Sequence, residues 1–232
     1  MAKSHLFRAT KSTFAHAVLG VSVAAAALAG QSAAHADTLA AHAPAPAVAA
    51  PAHAASAAKS HPESEIKARA TVSRVLALAK AQVGTSENAY GGGTKFQKWY
   101  MNSPRALETL RRDGGTRADY LNAAWCSMFV SWVGDQSGAR SMIGWDAYTV
   151  EHAKWFAGNN RWGTTPKPGA VVFFSWGGSK SLDDIEHVGF VVKDNHNGTI
   201  STIEGNTGNG SVQQRVRPTS QVVGYGYPNY GA

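Results

Sequence analysis

The feature that most narrows the fold of this chain is a change of texture near Pro166. Upstream, apolar residues recur every three or four positions. Downstream they come in short runs rich in Val, Ile, Phe and Tyr, separated by Gly and Asn. The first spacing builds amphipathic helices and the second builds strands joined by turns. Helices first and strands after predict an α+β fold, with N-terminal helices packed on a curled antiparallel β-sheet.

Four helices are legible. Residues 65–83 carry Val72, Val75, Leu76, Leu78 and Ala79 at helical spacing and stop at Gly84. "SPRALETLRRDGG" supplies its own punctuation, with Ser103 as cap, Pro104 at the first helical position and Gly114 past the end. In "AWCSMFVSWVGDQSG", Trp125, Met128, Phe129, Trp132 and Val133 form one stripe, and Val130 lies off it. A helix apolar over so much of its circumference belongs at the centre. "DAYTVEHAKWFAGNN" is the fourth, with Asp146 as its expected cap. The strands are "GAVVFFSW", "HVGFVVKD", "GTISTIEG", "SVQQRVR" and "QVVGYGY".

The N-terminal quarter does not belong to this domain. Lys3, Arg8 and Lys11 precede an apolar run from Phe14 to Ala29, and Ala34-His35-Ala36 follows. Basic, apolar and small-residue regions in that order read as a signal peptide over residues 1–36, too short and too alanine-rich for a spanning helix. Residues 37–64 are Ala, Pro and His with little to bury, so they read as a disordered linker, and their scattered histidines as solvated. Residues 65–232 form one catalytic-sized domain. The whole chain is +7, and loss of the leader leaves +4. No basic cluster interleaved with aromatics occurs, which argues against nucleic acid. The expected protein is exported, without a membrane span once the leader is gone, and monomeric.

Export makes the single cysteine conspicuous. Cys126 has no partner for an internal disulfide, so it is either an inert core residue or a nucleophile. It lies in the first turn of the third helix, where unpaired backbone N–H groups favour a thiolate and can receive an oxyanion. A cysteine nucleophile needs a base. Of the domain's three histidines, His152 reads as solvated or half-buried on a helix and His196 as an exposed turn residue. His187 opens an apolar strand beside Gly189 and is the best candidate.

At these residues the sequence resembles the CHAP domain, the cysteine, histidine-dependent amidohydrolases/peptidases. "AWCSMFVSWV", "PKPGAVVFF", "EHVGFVV" and "TIEGNT" carry the resemblance, with "ALAKAQVGTSE" and "GYGYPNY" at the flanks. It implies a papain-like fold, Cys126 as nucleophile, His187 as base, Glu204 and Asn206 as the polar residues behind the histidine, and an amide bond of bacterial peptidoglycan as substrate. Pro166-Lys167-Pro168-Gly169-Ala170 has Ala where the family's strand usually starts with Asp. Asp113 and Asp119 are too far apart for the family's calcium loop, so neither metal nor cofactor is expected. Trp125 and Trp176 are candidate substrate-binding residues, each with a competing reading as core or rim. Acyl transfer on the same site and a non-catalytic wall-binding module are the rival functions.

The two strands after His187 allow one geometric expectation. Paired as a hairpin with an even loop near "NHNG", residues 187, 189 and 191 share a face with 202, 204 and 206, while Val188, Phe190, Val192 and Ile203 face the core. His187, Glu204 and Asn206 would then meet. An odd loop without a compensating bulge would separate them.

Overall fold

The structure is a computed structural model that describes residues 71–230; the expected signal peptide, linker and first residues of the first helix lie outside the described residues. The described residues form an α+β fold. Six helices run α1 (Val72–Lys80), α2 (Lys95–Met101), α3 (Pro104–Asp113), α4 (Cys126–Gln136), α5 (Arg140–Ile143) and α6 (Thr149–Gly158). Six strands are β1 (Trp162–Gly163), β2 (Val171–Phe174), β3 (His187–Asp194), β4 (Thr199–Thr207), β5 (Ser211–Pro218) and β6 (Val222–Gly226). The sheet is open and antiparallel, in the order β1-β6-β2-β3-β4-β5. No helix among the described residues is long and apolar enough to cross a membrane.

The helix ends follow their side-chain caps. Thr71 accepts from the Arg74 N–H at α1, and Ser103 from the Ala106 N–H at α3, with Pro104 at the start and Gly114 past the end. Helix α2 went unread in the sequence, although Thr94 and Gln97 make a capping box there. The expected cap of the last helix is corrected: α6 starts after Tyr148. Asp146 accepts the Tyr148 N–H at 2.9 Å, but both its oxygens are taken by Arg105 and Arg112 of α3.

Helix α4 is central as expected, with Met128, Phe129, Val130 and Val133 all 0% exposed. It packs on the face of the sheet that presents Val188, Phe190 and Ile203, and Phe129 meets Phe190 edge to face. Each such aromatic or aliphatic side chain contributes about 1.5–3 kcal/mol by leaving water. The opposite face of the sheet gathers Val172, Phe174, Val191, Ile200 and Tyr225 into a second, smaller cluster.

The β3–β4 pair reaches the expected faces by an unexpected route. Phe190 pairs with Ile203 and Val191 with Thr202, the register anticipated. The loop is odd, because Asp194 pairs with Ile200 across five residues. A bulge between Val191 and Lys193 makes up the difference. The bulge keeps Thr202 and Glu204 on the side of Gly189 and His187.

Candidate active site

Cys126 is the first residue of α4. The residue ahead of it, Trp125, provides no side-chain cap, in contrast to Thr71, Thr94 and Ser103 on α1 to α3. The first N–H groups of α4 therefore carry no competing side-chain acceptor and remain donors for an incoming oxyanion. The approach of this turn to β4 depends on Gly205. A Cβ there would lie 2.6 Å from Phe129 Cβ and 2.8 Å from Trp125 Cζ3. Bare backbone at Gly205 thus lets the helix that begins at Cys126 seat on the strand that carries Glu204.

His187 is the first residue of β3, opposite Phe174 of β2. Its Nε2 lies 3.0 Å from Glu204 Oε2, and Cys126 stands close enough to the ring to raise the basicity of the imidazole. With Nε2 engaged by the carboxylate, Nδ1 is the nitrogen left for sulfur. Gly189 is needed for this approach too: a Cβ there would fall 2.7 Å from Glu204 Cγ. Cys126 and His187 are 4% and 5% exposed, and Glu204 is 0% exposed.

The charges are arranged to survive that burial. Burial opposes a charged imidazole, yet hydrogen bonds and charge at Cys126 and Glu204 outweigh it and raise His187 to about 9. Burial likewise opposes the Glu204 carboxylate, and His187, Arg217 and Thr202 together hold it down to about 2. Thr202 Oγ1 donates to Oε1 at 2.6 Å, and the Arg217 guanidinium spans both oxygens.

The structure therefore brings Cys126, His187 and Glu204 together and leaves two expected residues out. Asn206 has φ 54 and makes no side-chain hydrogen bond among the described residues. The cause is local: the β4–β5 register shifts between Glu204 and Thr207, which breaks the alternation that would have aimed Asn206 at the imidazole. Trp125 is corrected from substrate contact to core. It is 0% exposed, stacked on Phe96 at 5.3 Å, and its Nε1 donates to Glu87 Oε1 at 2.9 Å. Trp176 does stand at the rim, 40% exposed, with its ring 5.3 Å from that of His187.

The other histidines play no part here. His152 is fully buried rather than solvated, bonded to Ser127 Oγ and the Ile143 carbonyl, and burial lowers its basicity. His196 is an exposed turn residue with φ 56. Arg217 was missed. The signal for it was the alternation Gln213, Arg215, Arg217 along β5, which the pairing Glu204 with Gln213 and Thr202 with Arg215 sets on Glu204's face. Among the described residues no group of three or more His, Cys, Asp or Glu could hold a metal ion.

The family model of the CHAP domain matches residues 118–206, a stretch that holds Cys126, His187, Glu204 and Asn206. No curated protein and no solved structure matches the chain.

Proposed function

We propose that this chain is a secreted hydrolase of bacterial peptidoglycan that cleaves a peptide or amide bond through Cys126, a reading supported by the match of residues 118–206 to the CHAP domain, a hydrolytic family of cysteine/histidine type. The observation that carries this reading is one imidazole placed beside both a thiol and a carboxylate: His187 Nε2 lies 3.0 Å from Glu204 Oε2, and Cys126 is close enough to the ring to raise its basicity.

In the proposed reaction, Cys126 Sγ gives its proton to His187 Nδ1 and attacks the amide carbonyl carbon. The carbonyl oxygen becomes an oxyanion, received by the N–H groups of the first turn of α4. As the carbon–nitrogen bond breaks, His187 returns the proton to the leaving amine. A water molecule, deprotonated by the now neutral His187, attacks the thioester and releases the acid product and the thiol. Glu204 accepts from Nε2–H throughout. It fixes the tautomer that presents Nδ1 to sulfur and stabilises the imidazolium. Trp176 supplies an apolar wall beside the histidine for substrate. The chemistry of the proposed site requires no metal or cofactor.

Export is supported by the basic, apolar and Ala34-His35-Ala36 pattern of the leader. N-terminal sequencing of protein recovered from culture medium should begin at Asp37, and a start inside the apolar run would refute that cleavage. The substrate is tested on isolated walls. Clearing of turbidity, with new carboxyl and amino termini in the soluble fraction, supports hydrolysis. A product in which an added amine caps the new carboxyl assigns the site to acyl transfer, and binding without either product reduces the domain to a wall-binding module.

A further inference from the structure

The reaction above gives Arg217 no task, yet this residue touches both what lies behind the histidine and what lies over it. Its Nε donates to Glu204 Oε1 at 3.0 Å and Oε2 at 3.2 Å, and its Nη2 donates to Glu204 Oε2 at 2.6 Å and Thr207 Oγ1 at 3.0 Å. Its Cζ lies 4.9 Å from the centroid of the Trp176 ring, which in turn overlies His187. The side chain is 15% exposed.

We propose that Arg217 is a positioning residue of this site, which keeps Glu204 a carboxylate through the whole reaction cycle and braces Trp176 against the catalytic imidazole. The proposal rests on the hydrolase reading. Glu204 is dry, at 0% exposed. A carboxylate so buried needs a cation, and His187 is one only part of the time, because it surrenders its proton to the leaving amine. At that moment a Glu204 without Arg217 would be a lone buried anion, and it would take up a proton. Protonated, it becomes a donor toward Nε2, which forces the neutral imidazole to carry its proton on Nδ1. That is the wrong tautomer to deprotonate water or thiol. A guanidinium stays charged at every step and spans both oxygens, so Glu204 remains an acceptor and the tautomer is preserved. Lysine could supply the charge but not the paired contact on both Glu204 oxygens together with the bond to Thr207 and the place over the Trp176 ring.

The charged and titratable groups facing this row are Cys126 from α4, His187 from β3, Glu204 from β4 and Arg217 from β5. Glu186, just before β3, accepts the Trp176 N–H at 2.8 Å. The row from Cys126 to Arg217 thus alternates in sign when the thiol is ionised. Removing its last member lets Glu204 take up a proton, and His187 then loses the carboxylate that supports its charge beside the sulfur.

The experiment measures two things on Arg217→Gln and Arg217→Lys. The first is the rate of Cys126 alkylation by iodoacetamide against pH, which reads the thiolate without any wall substrate. The second is kcat and KM on soluble peptidoglycan fragments against pH. Arg217→Gln should move the acid limb of alkylation up by about one pH unit or more and lower kcat about tenfold or more, with KM within about twofold. Arg217→Lys should restore much of the acid limb but not kcat. If the Gln variant fails to fold, the Lys variant carries the test through its kcat loss. An alkylation profile and kcat equal to wild type in a folded variant overturn the proposal. So does an effect confined to KM, which would make Arg217 a substrate contact. A wild-type protein that cleaves no wall amide refutes the hydrolase reading instead, and the alkylation profile still judges Arg217.

Discussion

Glu204 Oε2 lies 3.0 Å from His187 Nε2, and the contact exists because one residue of β3, Val192, has no partner on β4. The five residues between Asp194 and Ile200 would by themselves put Glu204 on the helix-facing side of the sheet. The bulge returns it to the side of His187, and Gly189 leaves the space between them. The acid is therefore built into the sheet register and not carried on a loop. Its removal should act on the histidine directly.

Glu204→Ala should lower kcat by about a hundredfold or more, with Glu204→Gln intermediate because it keeps an acceptor oxygen but no charge. Asn206→Ala should cost much less, since Asn206 has no hydrogen bond to the site. Glu204→Ala should also lower the melting temperature, because it leaves the partly buried Arg217 guanidinium without its carboxylate. Steady-state kinetics on the three variants check the order. A larger kcat loss in Asn206→Ala than in Glu204→Ala would reassign the orienting role.

The charged pair sets a pH window. His187, raised to about 9, binds a proton in the folded state that the unfolded chain gives up near 6.5, so its stabilisation is complete below about 6.5 and lost as pH rises through about 9. Glu204, lowered to about 2 from 4.5, stabilises fully above about 4.5 and less as pH falls toward 2. Thermal melts of wild type and Glu204→Gln should differ most between these limits and converge outside them. In activity, kcat/KM should fall above about 9 as His187 loses the proton meant for the leaving amine.

Gly205→Ala should damage the site without touching a reacting group. Its methyl would have to share space with Phe129 Cβ at 2.6 Å and Trp125 Cζ3 at 2.8 Å, so α4 must shift away from β4 and carry Cys126 with it. Destabilisation of about 1–3 kcal/mol is expected from the overpacking, along with slower alkylation of Cys126 at neutral pH. Chemical denaturation and alkylation kinetics read the two effects, and an unchanged alkylation rate would show that helix seating does not position the thiol.

The two tryptophans should part company. Trp125→Ala removes a fully buried ring and its bond to Glu87, at a cost of about 3–5 kcal/mol in stability. Trp176→Ala should leave stability nearly intact and raise KM, since its ring stands half out of the protein beside His187. Denaturation midpoints and KM values for both variants decide this. A Trp176→Ala protein with unchanged KM would remove Trp176 from the substrate wall.

Sequence spacing carries some of this site and misses the rest for physical reasons. Helix α4 and the strand from His187 were legible because burial enforces a period: Met128, Phe129 and Val133 on the helix, Val188 and Phe190 on the strand. Cys126 and His187 stood out because an unpaired thiol in an exported chain is either buried or used, and because of the three histidines only His187 opens an apolar strand beside a glycine. The bulge at Val192 left no mark in composition, since it is an offset between strands and not a property of either. The turn at Asn206 reversed an alternation argument for the same reason. Asp146 resembled a helix cap until two arginines from α3, distant in sequence, claimed its oxygens. Arg217 was hidden because its partner Glu204 lies 13 residues away on the neighbouring strand.

The central claim is that Cys126 cuts a wall amide, and it is tested most directly by digesting purified peptidoglycan with wild type and Cys126→Ser side by side. Serine is nearly the size of cysteine, so the variant should melt as wild type does. Mass spectrometry should find paired new carboxyl and amino termini in the wild-type digest, and at least about a thousandfold less in the Cys126→Ser digest. Equal product from both proteins, or none from a folded wild type on any wall preparation, would contradict it.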